Sequence, residues 1–426
     1  MNTLPGNMET DLNGKPLKAG SEFLVWAANP AIKGSYRIVS LDGNDLAKPE
    51  KLRKLLVKKL YGKFVLINNK GIKDKKVLSV LDSLRYTNFL HAKGLIFVSE
   101  SKLTWSVMAG YRQSNYTVLD ISQNALPGKA RKIRLDIESR YFPDYPARNV
   151  IGYIRGSVQP DTFLVVTAHY DHLGRMGRDV YFPGANDNGS GTAMLLDLAR
   201  QYSLPEHRPY YSMVFMCFSG EEAGLNGSTY CADHPPFPLK QVKFLLNLDM
   251  VGTGSEGVTM VNATVFKEAY QRMARINADH EYILTVKERG ESCNSDHCPF
   301  YKKGVPAVFI YSIGKEYSEY HNPEDKSSKL PLTEYKDIFR LMADFLESFH
   351  WEPGFVSAME LFPAEFSELR RRRVFPAEFV EIRRRRVFPA EFAEIRRSKL
   401  KAGYFPQNSQ NYAEGNKMQV ISHRKK

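Results

Sequence analysis

The segment FLVVTAHYDHLG, residues 163–174, joins a continuous apolar run to a polar loop. An uninterrupted apolar run is typical of a strand that is buried on both faces of a parallel sheet. Similar runs alternate with helical patterns from residue 146 to 350, which predicts an α/β fold with a mostly parallel central sheet flanked by helices. Because such sheets bind ligands beyond the carboxyl ends of their strands, the polar residues that follow this run are candidates for a functional site.

Five acid- and histidine-bearing motifs follow or lie between the strand-like runs of this region. In chain order they are AHYDHLG (168–174), GANDNGSG (184–191), SGEEAG (219–224), NLDMVG (247–252) and EYHNPED (319–325). Strands that are far apart in sequence can bring such motifs to one edge of a sheet. Their occurrence together therefore predicts one site that contains several carboxylates and imidazoles.

The side chains of these motifs suit a pair of metal ions. The candidate terminal ligands are His169, Glu222, Asp249 and His321. Asp187 can bridge two ions, because a carboxylate has two oxygens. This nitrogen and oxygen set suits zinc, although cobalt or manganese could substitute, and its lack of cysteine excludes a structural zinc finger.

Two further carboxylates lie next to the candidate ligands in the sequence and could assist them. Asp171 follows His169 by two residues and could orient its imidazole. Glu221 precedes Glu222, so that one of them can bind a metal while the other acts as a base toward water. The sequence thus offers a catalytic base as well as metal ligands.

Each motif also has a simpler explanation when it is considered alone. GANDNGSG could be a phosphate-binding loop, but it lacks the required Gly-Lys-Ser/Thr. The two glutamates could open a helix at the surface, where they favour the positive end of the helix dipole. His321 could be an ordinary surface histidine. The metal hypothesis therefore depends on all five motifs together.

The charge of the chain is concentrated in its last part. The formal net charge is +13 over 426 residues, but residues 362–426 contain 16 Lys and Arg against 7 Asp and Glu. The region that contains the five motifs is therefore not a basic surface, and no nucleic-acid partner is required. Residues 362–400 repeat with a period of 13, beginning with FPAEFSELRRRRV. This arm is either a solvated extension or a basic segment that contacts an anionic surface.

The sequence leaves the cellular location and one cysteine pair open. The first 22 residues contain no apolar signal-like stretch, and the apolar run at 23–28 is too short to cross a bilayer, so we expect no transmembrane segment. The location would be exported or periplasmic if the natural N-terminus is missing, and cytoplasmic otherwise. Cys293 and Cys298 flank the tripeptide SDH and could form a disulfide or remain two thiols.

With these motifs, the chain resembles metallopeptidase family twenty-eight, whose members include bacterial leucyl-type aminopeptidases, glutamate carboxypeptidases and glutaminyl cyclases. The resemblance covers about residues 149–349 and includes NSDHCPFYKKGVPAVF at 294–309. It implies that residues 146–350 form a catalytic domain of the zinc-exopeptidase type. Residues 1–145, with a strand, helix, strand, strand pattern, resemble a small α+β protease-associated accessory domain. The third region, residues 351–426, is the basic arm.

The resemblance also implies a role for each candidate residue. His169 and Asp249 would bind one zinc ion, Glu222 and His321 would bind the second, and Asp187 would bridge the two. Glu221 would be the general base, and Asp171 would orient His169. Asp296 would lie near the substrate.

The implied activity is hydrolysis of N-terminal peptide bonds by an aminopeptidase with two zinc ions and a peptide substrate. Three alternatives remain from the sequence: a carboxypeptidase, a glutaminyl cyclase, or an inactive hydrolase that serves as a binding protein. Cyclases usually lack the Asp-Asn-Gly-Ser-Gly form that is present here.

Overall fold

The computed structural model describes residues 1–350 and 419–424, so that most of the predicted basic arm, including its 13-residue repeats, lies outside the described residues. The first 145 residues form strands β1 (Asn2–Thr3), β2 (Met8–Leu12), β3 (Lys15–Pro16), β4 (Phe23–Val25), β5 (Ile32–Asp42), β6 (Phe64–Asn68), β7 (Gly94–Ser99), β8 (Thr117–Ser122), β9 (Lys132–Ile137) and β10 (Arg140–Tyr141). Their helices are α1 (Pro49–Leu56) and α2 (Lys75–Thr87).

The second region alternates strands and helices. Its strands are β11 (Arg148–Ile154), β12 (Gln159–His169), β13 (Gly174–Met176), β14 (Val180–Phe182), β15 (Tyr211–Phe218), β16 (Val242–Leu248), β17 (Gly257–Val261), β18 (Val286–Glu288) and β19 (Ala307–Ile313). Its helices are α3 (Gly191–Ser203), α4 (Asn226–Asp233), α5 (Lys267–His280), α6 (His297–Lys302) and α7 (Tyr335–Glu347). Strand β20 (Gln419–Arg424), which belongs to the predicted third region, pairs with β11. Within the described residues, none of the helices combines the length and the apolar character that a bilayer span needs.

The central sheet has the strand order β18-β17-β19-β16-β12-β15-β11-β20. The four middle strands, from β19 to β15, are parallel to one another. Antiparallel pairing appears on both sides of this centre, where β17 pairs with β19 and β11 pairs with β15. The predicted α/β fold is confirmed, with a parallel centre inside a mixed sheet.

Apolar sequence explains why the middle strands are central. In β12 and β16, Val166, Leu245 and Leu246 are at most 1% exposed, as expected for strands that are covered on both faces. The covering helices bury one stripe each, which in α3 includes Met194 and Leu198. The sheet thus holds the carboxyl ends of its strands in fixed positions.

The first region forms its own eight-stranded sheet, with the order β3-β2-β9-β5-β6-β7-β8-β4. Strands β5 to β8 are parallel neighbours, and the others pair in antiparallel fashion. The apolar cluster on one face of this sheet also contains Leu173, Met176 and Phe182, which come from the segment after β12. This sheet therefore packs against the loop that follows His169. The similarity of residues 1–145 to a protease-associated domain stays a prediction, as do the predicted domain boundaries.

The buried centre of the sheet provides a test of the fold. We expect Leu245→Ala to lower the free energy of unfolding by about 2–5 kcal/mol, because it leaves a cavity where the side chain is fully buried. Leu284→Ala is the control, since this leucine is 75% exposed and should change the free energy by less than about 0.5 kcal/mol. Chemical denaturation of both variants measures the difference, and equal losses would contradict the assignment of β16 to the core.

Candidate metal centre

Three neighbouring strands deliver candidate ligands to one edge of the central sheet. His169 is the last residue of β12, and Asp249 comes directly after β16. Glu221 and Glu222 follow β15 after a two-residue turn. Because β15, β12 and β16 are adjacent and parallel, their carboxyl ends meet, and these side chains converge.

Asp187 reaches the same edge from an irregular turn, Ala185–Ser190, that leads into α3. The buried carboxylate of Asp325 accepts hydrogen bonds from the backbone N–H groups of Asn186, at 2.9 Å, and Asp187, at 3.1 Å. The hydroxyl of Tyr317 donates to the same carboxylate at 2.8 Å. Asp325 therefore fixes the turn that aims Asp187 into the cluster.

The two oxygens of Asp187 face two different imidazoles. Oδ1 lies 3.4 Å from Nε2 of His169, and Oδ2 lies 3.0 Å from Nε2 of His321. Zinc binds nitrogen and oxygen ligands at about 2.0–2.2 Å, which places tetrahedral ligands about 3.3–3.6 Å from each other. The separations around Asp187 thus suit a carboxylate that is shared between two metal ions.

The remaining ligands complete the two halves of the cluster. Nε2 of His169 is 3.5 Å from Oδ1 of Asp249, and Nε2 of His321 is 3.2 Å from Oε2 of Glu222. The donor atoms of His169, Asp187 and Asp249 all lie within 4.8 Å of one another. The structure therefore brings together all five residues that the sequence predicts as metal ligands.

The backbone of Asp171 supports His169. Nδ1 of His169 lies 3.0 Å from the carbonyl oxygen of Asp171, whereas the nearer carboxylate oxygen of Asp171 is 3.9 Å away. That carboxylate accepts a hydrogen bond from the backbone N–H of Glu221 at 3.2 Å. The orienting role of the Asp171 carboxylate stays a prediction, and in this geometry the residue also links the His169 loop to the Glu221 turn.

A chain of polar side chains inside the sheet holds Asp249. The hydroxyl of Ser295 donates to Oδ2 of Asp249 at 2.8 Å, and the amide of Asn247 donates to Ser295 at 2.9 Å. The hydroxyl of Thr167 in turn donates to Asn247 at 2.6 Å. These buried bonds fix the carboxylate that the end of β16 presents.

His172 is a member of the cluster that the sequence reasoning missed. Its Nδ1 lies 2.8 Å from Oε1 of Glu222, and its side chain is 8% exposed. Neither ring nitrogen has an aligned hydrogen-bond partner among the described residues, and its donor atom groups with those of Asp187 and Glu222. Buried polar atoms normally have partners, so His172 is a further residue that could hold a metal. Its position inside the first motif, AHYDHLG, was the available signal.

The charges of the cluster compete for protons. Burial favours a neutral imidazole, but the carboxylates of Asp187 and Glu222 outweigh it and raise the pKa of His321 to about 10. Burial alone would raise the pKa of Asp187, yet hydrogen bonds with His169 and His321 hold it below its usual value. The buried carboxylates are thus stable only beside positive charge, which protonated imidazoles or metal ions can provide.

Glu221 differs from the other carboxylates of the site. Burial, together with the nearby carboxylates of Asp296 and Asp249, raises its pKa to about 9. It has no imidazole partner among the ion pairs of the described residues. In the metal-free site this carboxyl group therefore holds its proton at neutral pH, and it can accept one only where nearby positive charge lowers its pKa.

Asp296 and the neighbouring cysteines lie beside this cluster. Asp296 is fully buried, and burial raises its pKa to about 7. None of its surface is open to a substrate in this conformation, and its predicted proximity to the substrate stays a prediction. Cys293 and Cys298, which the sequence left open, form a disulfide around the start of α6.

Comparison with known proteins relates the segment that carries this site to a family. The family model described as "Peptidase family M28" matches residues 149–346, the segment that contains all of the predicted site residues. This segment belongs to peptidase family M28. The expected resemblance is therefore confirmed for the second region.

Individual M28 relatives cover only part of the chain. Aminopeptidase YwaD of Bacillus subtilis is 31% identical over 198 residues, which are 44% of this chain and 42% of that protein. A probable zinc metalloprotease of Pyrenophora tritici-repentis is 35% identical over 149 residues, 34% of this chain and 29% of that protein. The chain thus matches less than half the length of either relative.

One solved structure extends the likeness of the fold beyond the M28 segment. The zinc aminopeptidase BSAP from Bacillus subtilis aligns with a TM-score of 0.59 and 20% identity, covering 81% of this chain and 82% of that structure. At this identity the likeness concerns the fold alone. It supports the zinc-exopeptidase architecture of the second region.

The raised pKa of His321 predicts that zinc binding releases protons. In the metal-free protein the imidazoles hold protons on Nε2 at neutral pH, and a metal needs those lone pairs. The affinity for zinc should therefore rise with pH between pH 6 and 8, by about tenfold per unit for each proton that zinc binding releases. Chelator competition, corrected for protonation of the chelator, measures this dependence. A zinc affinity that is constant over this range would contradict the assigned protonation states.

Proposed function

We propose that this protein is a zinc-dependent aminopeptidase that hydrolyses the N-terminal peptide bond of its substrate with two zinc ions. The observation that carries the proposal is the arrangement of Asp187, whose two oxygens face His169 and His321 separately. The membership of residues 149–346 in peptidase family M28 supports the reaction class. The aminopeptidase and zinc metalloprotease names of the relatives support the substrate class and the metal.

The donor set fits two zinc ions. His169 and Asp249 would hold one ion and Glu222 and His321 the other, with Asp187 shared and His172 beside the second. Buried carboxylates without cations would be costly, and the two clusters of donors have the spacing of ligands around zinc. When bound, zinc supplies Lewis acidity, which polarises a carbonyl group and makes water more acidic.

Glu221 is the residue that would move the proton. A water molecule that attacks the scissile carbonyl must lose a proton, and the departing amine must gain one. Glu221 can carry out both transfers once it is ionised, because it has no imidazole partner among the ion pairs of the described residues. In the metal-free site, burial raises its pKa to about 9 and keeps it protonated at neutral pH. Metal ions near Glu221 would lower this pKa toward neutrality, which suits a base at neutral pH.

We predict that Glu221→Gln lowers turnover by about 10²–10⁴-fold and keeps the bound zinc, because the amide cannot accept the proton. Glu206→Gln is the matched control, since Glu206 is exposed on the turn Pro205–His207. Turnover and zinc content are measured together on each protein. Near-normal turnover of the Glu221 variant would rule out its role as the base.

A second substitution tests the bridge. We expect Asp187→Ala to lose zinc as well as activity, because both halves of the cluster share this carboxylate. Asp179→Ala is the control, since Asp179 is exposed between β13 and β14, and this variant should retain both zinc and activity. Metal content after gel filtration decides the question, and full zinc occupancy of the Asp187 variant would refute the bridge.

The substrate class is tested with matched peptides that have free or blocked N-termini. The aminopeptidase proposal expects zinc-dependent cleavage of the free peptides only, and no cleavage in the presence of a chelator. Cleavage of blocked peptides from the other end would favour the carboxypeptidase alternative. Release of pyroglutamate from N-terminal glutamine peptides would favour the cyclase.

A further inference from the structure

A loop from the first region of the chain lies against the loop that contains His321. The backbone N–H of Trp105 donates to the carbonyl of His321 at 2.8 Å. In the reverse direction, Nδ1 of His321 lies 2.9 Å from the carbonyl oxygen of Trp105. The two residues are 216 positions apart, and Trp105 is outside the segment that matches peptidase family M28.

This contact decides which nitrogen of His321 is available. A carbonyl oxygen can only accept a hydrogen bond, so Nδ1 must carry the proton in the bond to Trp105. Nε2 is then the nitrogen with the free lone pair when the ring is neutral, and it faces Asp187 at 3.0 Å and Glu222 at 3.2 Å. Metal-binding histidines commonly use their second nitrogen in this way.

The Trp105 loop is itself firmly anchored. Its indole N–H donates to the carbonyl of Val25 at 2.7 Å, and its ring stacks on Phe182 with 4.8 Å between the ring centres. Trp105 is 6% exposed and belongs to the apolar cluster of the first sheet. Lys102, on the same loop, forms an ion pair with Glu319, two residues before His321.

The loop of His321 needs such support. His321 has a φ of 50°, in the left-handed region that non-glycine residues seldom adopt. A residue in this conformation persists when the surrounding contacts hold it. The reciprocal hydrogen bonds with Trp105 supply two contacts at the strained residue.

We propose that Trp105 is a positioning residue for the metal centre. Through its backbone it fixes the tautomer and direction of His321, and so sets the affinity of the second zinc ion, the ion held by Glu222 and His321. The proposal rests on the two-zinc function stated above, and it adds a part of the chain outside the M28 segment to the machinery of the site.

The test compares two buried aromatic residues of the first region. Trp105→Ala removes the side chain that anchors the loop, and we expect it to weaken one of the two zinc ions by about 10–100-fold while leaving the other unchanged. Phe97→Ala is the control, because Phe97 is 4% exposed in the apolar cluster on the other face of the same sheet. Chelator titration resolves the two zinc ions in each protein.

A milder pair of variants covers the case in which Trp105→Ala does not fold. Lys102→Glu replaces the attraction to Glu319 by repulsion at an exposed side chain, and should weaken the same zinc ion to a smaller extent. Lys33→Glu breaks the exposed pair with Asp136 in the first region and should leave both zinc ions unchanged. The second pair thus tests the same coupling without disturbing the core.

Nuclear magnetic resonance with ¹⁵N-labelled histidine reports the tautomer of His321 directly, and Phe97→Ala shows how far general destabilisation alone changes the exchange of its ring proton. We expect a slowly exchanging Nδ1 proton for His321, absent in His321→Gln, and faster exchange of this proton in the Trp105 or Lys102 variant. In the zinc-loaded wild-type protein, a His321 ring that carries its proton on Nε2 and none on Nδ1 would overturn the proposal. Equal zinc binding in folded Trp105→Ala and Phe97→Ala would overturn it as well.

The outcomes separate this proposal from the proposed function. If the wild-type protein cleaves no peptide but Trp105→Ala selectively loses one zinc ion, the positioning role is upheld and the aminopeptidase is rejected. Normal zinc binding and normal cleavage of free peptides by Trp105→Ala would uphold the aminopeptidase and reject the positioning role.

Discussion

The crowding of buried carboxylates around Asp187 is the constraint on which the site depends. Asp187, Glu222 and Asp249 are all less than 9% exposed, and their oxygens lie within reach of the same two imidazoles. Like charges at such distances in a buried site repel strongly unless cations lie between them. The cluster is therefore stable only with protons or metal ions on its inner side, and this requirement makes it a candidate metal centre.

Four of the predicted ligands fall into two classes according to how the fold holds them. His169 and Asp249 stand at the ends of β12 and β16, where the parallel sheet itself fixes their backbone. Asp187 and His321 lie on irregular segments, and each depends on a partner from elsewhere in the chain. Asp325 provides this support for Asp187, and Trp105 provides it for His321. A site that combines both classes requires rigid loops as well as a rigid sheet.

The sequence could predict what local patterns and the geometry of parallel sheets determine. A continuous apolar run before His169 or Asp249 indicates a buried strand, and the carboxyl ends of such strands meet at one edge. The alternation of strands and helices that the sequence predicts includes α3, whose apolar spacing is local information. Supporting contacts such as Ser295 to Asp249 join residues that no periodic pattern relates, and only the folded chain reveals them.

His172 shows a different limit, since it was visible within a quoted motif but had no role in the expected ligand set. Its importance comes from burial beside Glu222 and from ring nitrogens that lack aligned partners in the described residues, and neither property can be read from spacing. The role of Trp105 is even harder to predict from local sequence patterns. It contacts His321 from outside the segment that the family model matches, and that segment alone would leave Nδ1 of His321 without this acceptor. The contacts that support the candidate metal centre therefore extend beyond the segment that the family model matches, because Nδ1 of the predicted ligand His321 pairs with a loop of the first sheet.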